Sequence, residues 1–218
     1  MENKLILGID TSTNNCSAGL IKDGNIISQK SEFGKSIHSE KLLDFVDELF
    51  INDITMRDID AIAITIGPGS YTGLRIGLST AKGLAFPLGI PVLPVPTFKV
   101  LENVARQEWQ HEKILLFIKS HRDLVYYTVA AMGEQSQVFP KVLHEPIGHV
   151  LTKNPAVQII CGNSDFEISG NRKIHIRYPN GIQTALLGEK HYSELINRTG
   201  TALEPEYHSE FKAVKWKP

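Results

Sequence analysis

The chain has 218 residues, 42% of them hydrophobic, and its 23 basic side chains nearly cancel its 24 acidic ones. That is enough apolar material for one large or two small packed domains, and the charge balance excludes both a global basic field for nucleic acid and an acidic solvated arm. The longest apolar run, LAFPLGIPVLPVP from Leu84, is interrupted by prolines and too short for a membrane span, and MENKLILGIDTS reaches Asp10 before a signal-peptide core develops, so no membrane and a cytoplasmic location are expected.

In chain order, KLILGIDTS reads as a short apolar strand ending at Asp10. SAGLIKDGNIISQKSEF alternates apolar and polar residues around Asp23-Gly24, the pattern of a hairpin. SIHSEKLLDFVDELF places Leu42, Phe45, Val46 and Leu49 at helical spacing, with Leu43 and Phe50 widening the stripe, which predicts an amphipathic helix from His38 to Phe50 capped by Ser36 or Ser39. IDAIAITIG is a strand of the kind buried on both faces, followed by a helix from Ser70 to Phe86 and a strand at IPVLPVP. The first hundred residues therefore read strand, strand, strand, helix, strand, helix, strand. After a helix near TFKVLENVARQEW the pattern partly restarts, with two strands in KILLFIKSHRDLVYYTVAAM and a third in VQIICGNSD. The expected division is an N-terminal domain over 1–97, a smaller α/β domain over 98–204 and a tail over 205–218. Cys16 and Cys161 lie far apart in strand-like contexts, so no disulfide is expected.

The stretch ITIGPGSYTGLRIGLSTAKGLAF, Ile64 to Phe86, puts five glycines where a strand runs into a helix. As a dinucleotide loop it fails, because Thr72 takes the place of the last glycine and no acidic residue occurs between Gly67 and Glu102. As a P-loop it fails too, because Gly73 is followed by Leu74 and Arg75. What remains is a helix on which Gly73, Gly77, Ala81 and Ala85 recur every four residues and leave one face nearly bare. A glycine inside a helix costs about 1 kcal/mol relative to alanine, so close contact is expected to return something. Two readings stand: approach of another helix, and packing within the same domain. An anion at the helix N-terminus, on the amides after Gly69, is a third.

ILGIDTSTNNCSAGL, HSEKLLDFVDEL, IGPGSYTGLRIGLSTAKGLA and PVLPVPTF, in this order and spacing, resemble the bacterial TsaB family, also called YeaZ, over roughly residues 4 to 100. The resemblance implies an α/β fold of the actin-like (ASKHA, ribonuclease H-like) kind, with two related domains, the second reduced. It implies a role in placing threonylcarbamoyl on the adenosine beside the anticodon of tRNAs that read codons starting with A. In that family the protein is a partner of the catalytic paralogue TsaD, joined by the ATPase TsaE, and a homodimer when TsaD is absent; tRNA is met through the complex. The two helices of the first domain pack against the equivalent pair of TsaD. Carried onto this sequence, the expected contact residues are Leu42, Phe45, Val46, Leu49, Leu74, Gly77, Leu78 and Ala81, with Arg75 and Lys82 as rim charges. Gly77→Leu is then expected to keep the fold and block pairing.

TsaD holds its metal partly through a His-x-x-x-His pair, and none of the eight histidines here has another three or four residues away. No catalytic and no metal-ligating residue is therefore expected, and a scaffold that activates the transferase is the leading reading. The alternative is an ATP-binding or ATP-hydrolysing enzyme of the actin-like superfamily, in which Asp10, Thr11 and Ser12 contact nucleotide. The opposing reading of this turn is local hydrogen bonding of Asp10, Thr11, Ser12 and Thr13. No cofactor is firmly implied; ATP or ADP at the partner interface is the ligand the resemblance leaves open. Ser120, His121 and Arg122 stand where the family has Asp-Ala-Arg, and Pro205 and Tyr207 are followed by His208 and Ser209 where it has Leu-Arg.

Overall fold

The computed structural model describes residues 4–110, 112–131, 138–168, 172–199 and 203–208. The first sheet is a meander of β1 (Leu5–Asp10), β2 (Asn15–Lys22) and β3 (Asn25–Phe33), to which β4 (Ala61–Thr65) and β5 (Val92–Val95) add in parallel beside β1, in the order β3-β2-β1-β4-β5. Asp23 and Gly24 turn the hairpin with φ of 50° and 72°, the left-handed pair that a two-residue type I′ turn requires. α1 (His38–Asp47) links β3 to β4 and α2 (Tyr71–Leu88) links β4 to β5. α1 starts after Ile37 without a side-chain cap, so neither Ser36 nor Ser39 serves; α2 starts after Ser70, whose hydroxyl accepts from the Gly73 amide.

The second sheet repeats this plan. β6 (Ile114–Lys119), β7 (Leu124–Ala130) and β8 (Leu143–Pro146) form the meander, and β9 (Ile159–Gly162) and β10 (Lys173–Ile176) add in parallel beside β6, giving β10-β9-β6-β7-β8. Counted from each unit's first strand the two orders are identical. The second unit is the reduced one: its strands after β7 have four residues each, and α4 (Ile147–Lys153) is shorter than α1. This is the two-part actin-like α/β architecture that the sequence resemblance implies.

The units are interlocked by their last helices. α3 (Thr97–Arg106) follows β5 and buries Phe98, Leu101 and Ala105 against Ile114, Leu116 and Ile118 of the second sheet. α5 (Gly181–Lys190) follows β10 and returns to the first sheet, where Ile182, Ala185 and Leu187 cover Ile6, Ile21, Ala61, Ala63 and Leu93, with Leu195 of α6 (Tyr192–Leu195) beside them. The opposite face of that sheet, Leu5, Leu7, Ile9, Cys16, Leu20, Ile62 and Ile64, packs under α1 and α2. Coverage on both faces explains the near-continuous apolar runs of β1 and β4. A division at 98 and 204 therefore does not hold for α5 and α6, which complete the first unit.

Candidate functional site at the carboxyl edge of the first sheet

The β1–β2 turn and the start of α2 are built as one piece. Thr11 Oγ1 donates to the Gly73 carbonyl at 2.8 Å, the Ser70 amide donates to the Ser12 carbonyl at 2.7 Å, and Ser12 Oγ donates to Asp10 Oδ2 at 2.9 Å. The Asn15 amide donates to Thr13 Oγ1, and His38 Nε2 donates to the Thr13 carbonyl at 2.8 Å. A β-carbon on Gly69 would stand 2.3 Å from the Ser12 carbonyl oxygen, on Gly73 2.1 Å from that of Thr11, and on Gly77 2.2 Å from Thr11 Oγ1. The glycines of α2 thus seat the helix directly on its own turn. A phosphate at this helix start would compete with Ser12 and with Ser70 Oγ, which already hold the Ser70 and Gly73 amides.

The expected contact residues lie on the inner faces of α1 and α2. Leu42, Phe45, Val46, Leu49, Leu74, Leu78 and Ala81 are all at most 8% exposed within this one chain, and Gly77 is buried against Thr11 and Ile64. They fill the core between the helices and the sheet, so they do not form an outward contact surface; Gly77→Leu would break the fold before it reached a partner. The outward surface belongs to residues the sequence reading passed over. On α2 the row Tyr71, Arg75, Ser79, Gly83 is exposed at four-residue spacing, followed by Phe86, which is 90% exposed. Among the described residues a β-carbon on Gly83 would meet nothing within 4 Å. Leu43 of α1 adds a side chain that is 58% exposed. The exposed positions were legible as the complement of the inner stripe, one helical step away from it.

Arg75 and Lys82, expected as rim charges, do lie on the outer side, and both find partners within the chain. Arg75 Nε donates to Tyr207 Oη at 2.8 Å with its guanidinium 4.1 Å from the Tyr71 ring centre, and Lys82 Nζ donates to the Leu203 carbonyl.

Asp10 is fully buried, and burial pushes its carboxyl up to about 6 against the nearby Thr65 hydroxyl and the Ser12 hydrogen bond, which favour the carboxylate. Its Oδ1 lacks a hydrogen bond of good geometry, as do the buried hydroxyls of Thr65 and Thr97, so the Thr65 hydroxyl lies beside the carboxyl without closing on it. Burial likewise lowers His38, leaving a neutral ring whose Nε2 carries the proton. Both cysteines are free, buried and pushed up to about 12, which removes them as nucleophiles. In the second unit the β6–β7 turn is held by its own backbone, Ser120 to Leu124 and Leu124 to His121, with Arg122 at a φ of 53°. Asn163 Oδ1 accepts from the Lys119 amide at 2.7 Å. Among the described residues no three His, Cys, Asp or Glu side chains gather as a metal site.

The family model described as TsaD, tRNA N6-adenosine threonylcarbamoyltransferase, matches residues 26–192. The tRNA threonylcarbamoyladenosine biosynthesis protein TsaB of Haemophilus influenzae is 33% identical over 129 residues, 59% of this chain and 54% of the relative. That of Buchnera aphidicola is 30% identical over 146 residues, 63% of this chain and 69% of the relative. The chain belongs to the TsaB family. The match to the Haemophilus TsaB spans about half of that protein's length. A solved structure, YeaZ from Pseudomonas aeruginosa, shares the fold with a TM-score of 0.76 at 24% identity, covering 94% of this chain and 99% of that one. Against that family background the site separates into two parts: a sealed turn with one buried carboxyl, and an outer helix face. Among the described residues no helix is long and apolar enough to cross a membrane.

Proposed function

We propose that this chain is a subunit of the assembly that places threonylcarbamoyl on the adenosine beside the anticodon, that it contributes no transfer chemistry itself, and that it acts by holding a TsaD-family catalytic chain against the outer face of α1 and α2. The observation that carries this reading is the outer row of α2, where Phe86 stands 90% exposed beside an open Gly83. A glycine in an exposed helix interior weakens the helix by about 1 kcal/mol, and nothing among the described residues uses its bareness. A second helix can come close there, with Tyr71, Leu43 and Phe86 as apolar anchors and Arg75 at the rim. The similarity to TsaB relatives and to the TsaD family model supports the choice of partner. The ATPase TsaE joins the pair, the same face serves a homodimer when the catalytic chain is absent, and the work takes place in the cytoplasm.

The test is binding to the TsaD-family chain of the same genome, by size exclusion with light scattering. Gly83→Leu and Phe86→Asp are expected to fold as the parent does and to weaken binding at least tenfold, because one fills the approach and the other buries a charge. Equal binding by both would remove the outer face from the interface.

A second reading, an ATP-using enzyme, is favoured by Asp10, a buried carboxyl with a free oxygen at the end of the first strand. Saturable ATP turnover lost on Asp10→Ala would establish it.

A further inference from the structure

The segment Leu203–His208 crosses the outer side of α2 and reaches the second sheet. Leu203 packs against the core of the first unit, and the polar anchors of the segment are specific. The Glu206 amide donates to the Ile66 carbonyl at 2.7 Å, Tyr207 Oη accepts from Arg75, and the Leu203 carbonyl accepts from Lys82. The Tyr207 ring lies 4.9 Å from that of Tyr71, and His208 approaches the edge of Tyr126 on β7 at 6.4 Å. The seat is built for the segment: Gly67 has a φ of 129°, and a β-carbon there would stand 2.6 Å from the Glu206 carbonyl oxygen.

The seat is also open to solvent. A surface groove of about 260 Å³ runs beside the segment along Arg75, Leu78, Ser79 and Lys82 of α2, and another of about 250 Å³ lies beside it at Ile66, Pro94, Phe139 and Arg198. Tyr207 itself remains 43% exposed. Packed helices lie about 8–10 Å apart axis to axis, and an extended segment needs about 5 Å of its own. A helix seated on Arg75, Ser79 and Lys82 and the segment cannot occupy that groove together.

We propose that Leu203–His208 is a displaceable strap, bound along one flank of α2 at Tyr71, Arg75 and Lys82 in the lone chain and released when a second chain packs its helices there. This rests on the partner-binding reading above. Its physical content is a competition for one groove: the strap holds Arg75 and Lys82 by polar bonds at the surface, and a partner replaces those bonds with buried apolar contact. If the strap is open in about a tenth of free molecules, loosening it raises apparent affinity about tenfold, because only the open form is competent.

The experiment uses the full chain and the TsaD-family chain of the same genome. Amide hydrogen exchange at Glu206 is expected to become at least tenfold faster in the complex than in the free protein. Tyr207→Ala, which removes the strap's contacts with Tyr71 and Arg75 while leaving those two α2 side chains in place, is expected to bind about tenfold more tightly with an unchanged unfolding temperature. Retained or increased protection at Glu206, or weaker binding by Tyr207→Ala, overturns the strap and makes the segment part of the interface while the partner reading stands. Absence of binding by both the parent and Tyr207→Ala removes the partner reading and the strap with it.

Discussion

Asp10 carries the clearest pH signature in the molecule. Its folded value of about 6 lies above the ordinary 3.8 because burial disfavours the charge. Between those two values the folded chain holds more protons than the unfolded one, so stability falls as pH rises from about 4 to 6 and the full cost, about 3 kcal/mol at most, is present from pH 7 upward. Asp10→Asn keeps the shape and removes the charge. It is expected to stabilise the protein by about 2 kcal/mol at pH 8 and by close to nothing at pH 4, read as the gap between thermal unfolding curves at the two pH values. A variant less stable than the parent at pH 8 would mean that the carboxylate has a partner that stabilises its charge. The surrounding hydroxyls were readable as turn formers from DTST alone, whereas the burial that shifts Asp10 exists only in the assembled fold.

At the scale of the element, α2 shows how one glycine pattern can serve two faces. Gly73 and Gly77 are bare because the β1–β2 turn lies against them, and Gly83 is bare with open space outside it. Gly77→Ala is expected to cost about 2 kcal/mol by overpacking against Thr11. Gly83→Ala is expected to add about 0.5–1 kcal/mol, since it only improves helix propensity. Chemical denaturation of the two variants beside the parent checks both signs. The four-residue spacing was visible in the sequence, but spacing gives the direction of a face only relative to its own helix. Which side met the sheet depended on Thr11, sixty residues earlier. α5 escaped the sequence reading for a related reason. Its buried side includes Gly181, Gln183, Thr184 and Gly188, small or polar residues chosen for closeness rather than apolarity. A β-carbon on Gly8 would stand 2.0 Å from the Gly181 carbonyl oxygen, so this helix packs on bare backbone.

At the scale of the whole molecule, the exchange of α3 and α5 makes the two units interdependent. A fragment of residues 1–97 would leave Ile6, Ile21, Ala61, Ala63, Leu93 and Val95 without the cover that α5 provides. It is expected to lack a cooperative unfolding transition and to associate non-specifically, as circular dichroism and sedimentation would show. The sequence by itself determined the strand and helix order of the first hundred residues, because buried strands and amphipathic helices write their periods directly into the chain, and its motifs pointed to the family. It also pointed to close contact along α2, which Gly73 and Gly77 make. Only the tertiary structure decided what touches them, which helix face is left outward, and that the last helices cross between units. Those are relations between distant segments, fixed by steric fit across the sheet and invisible to any local pattern.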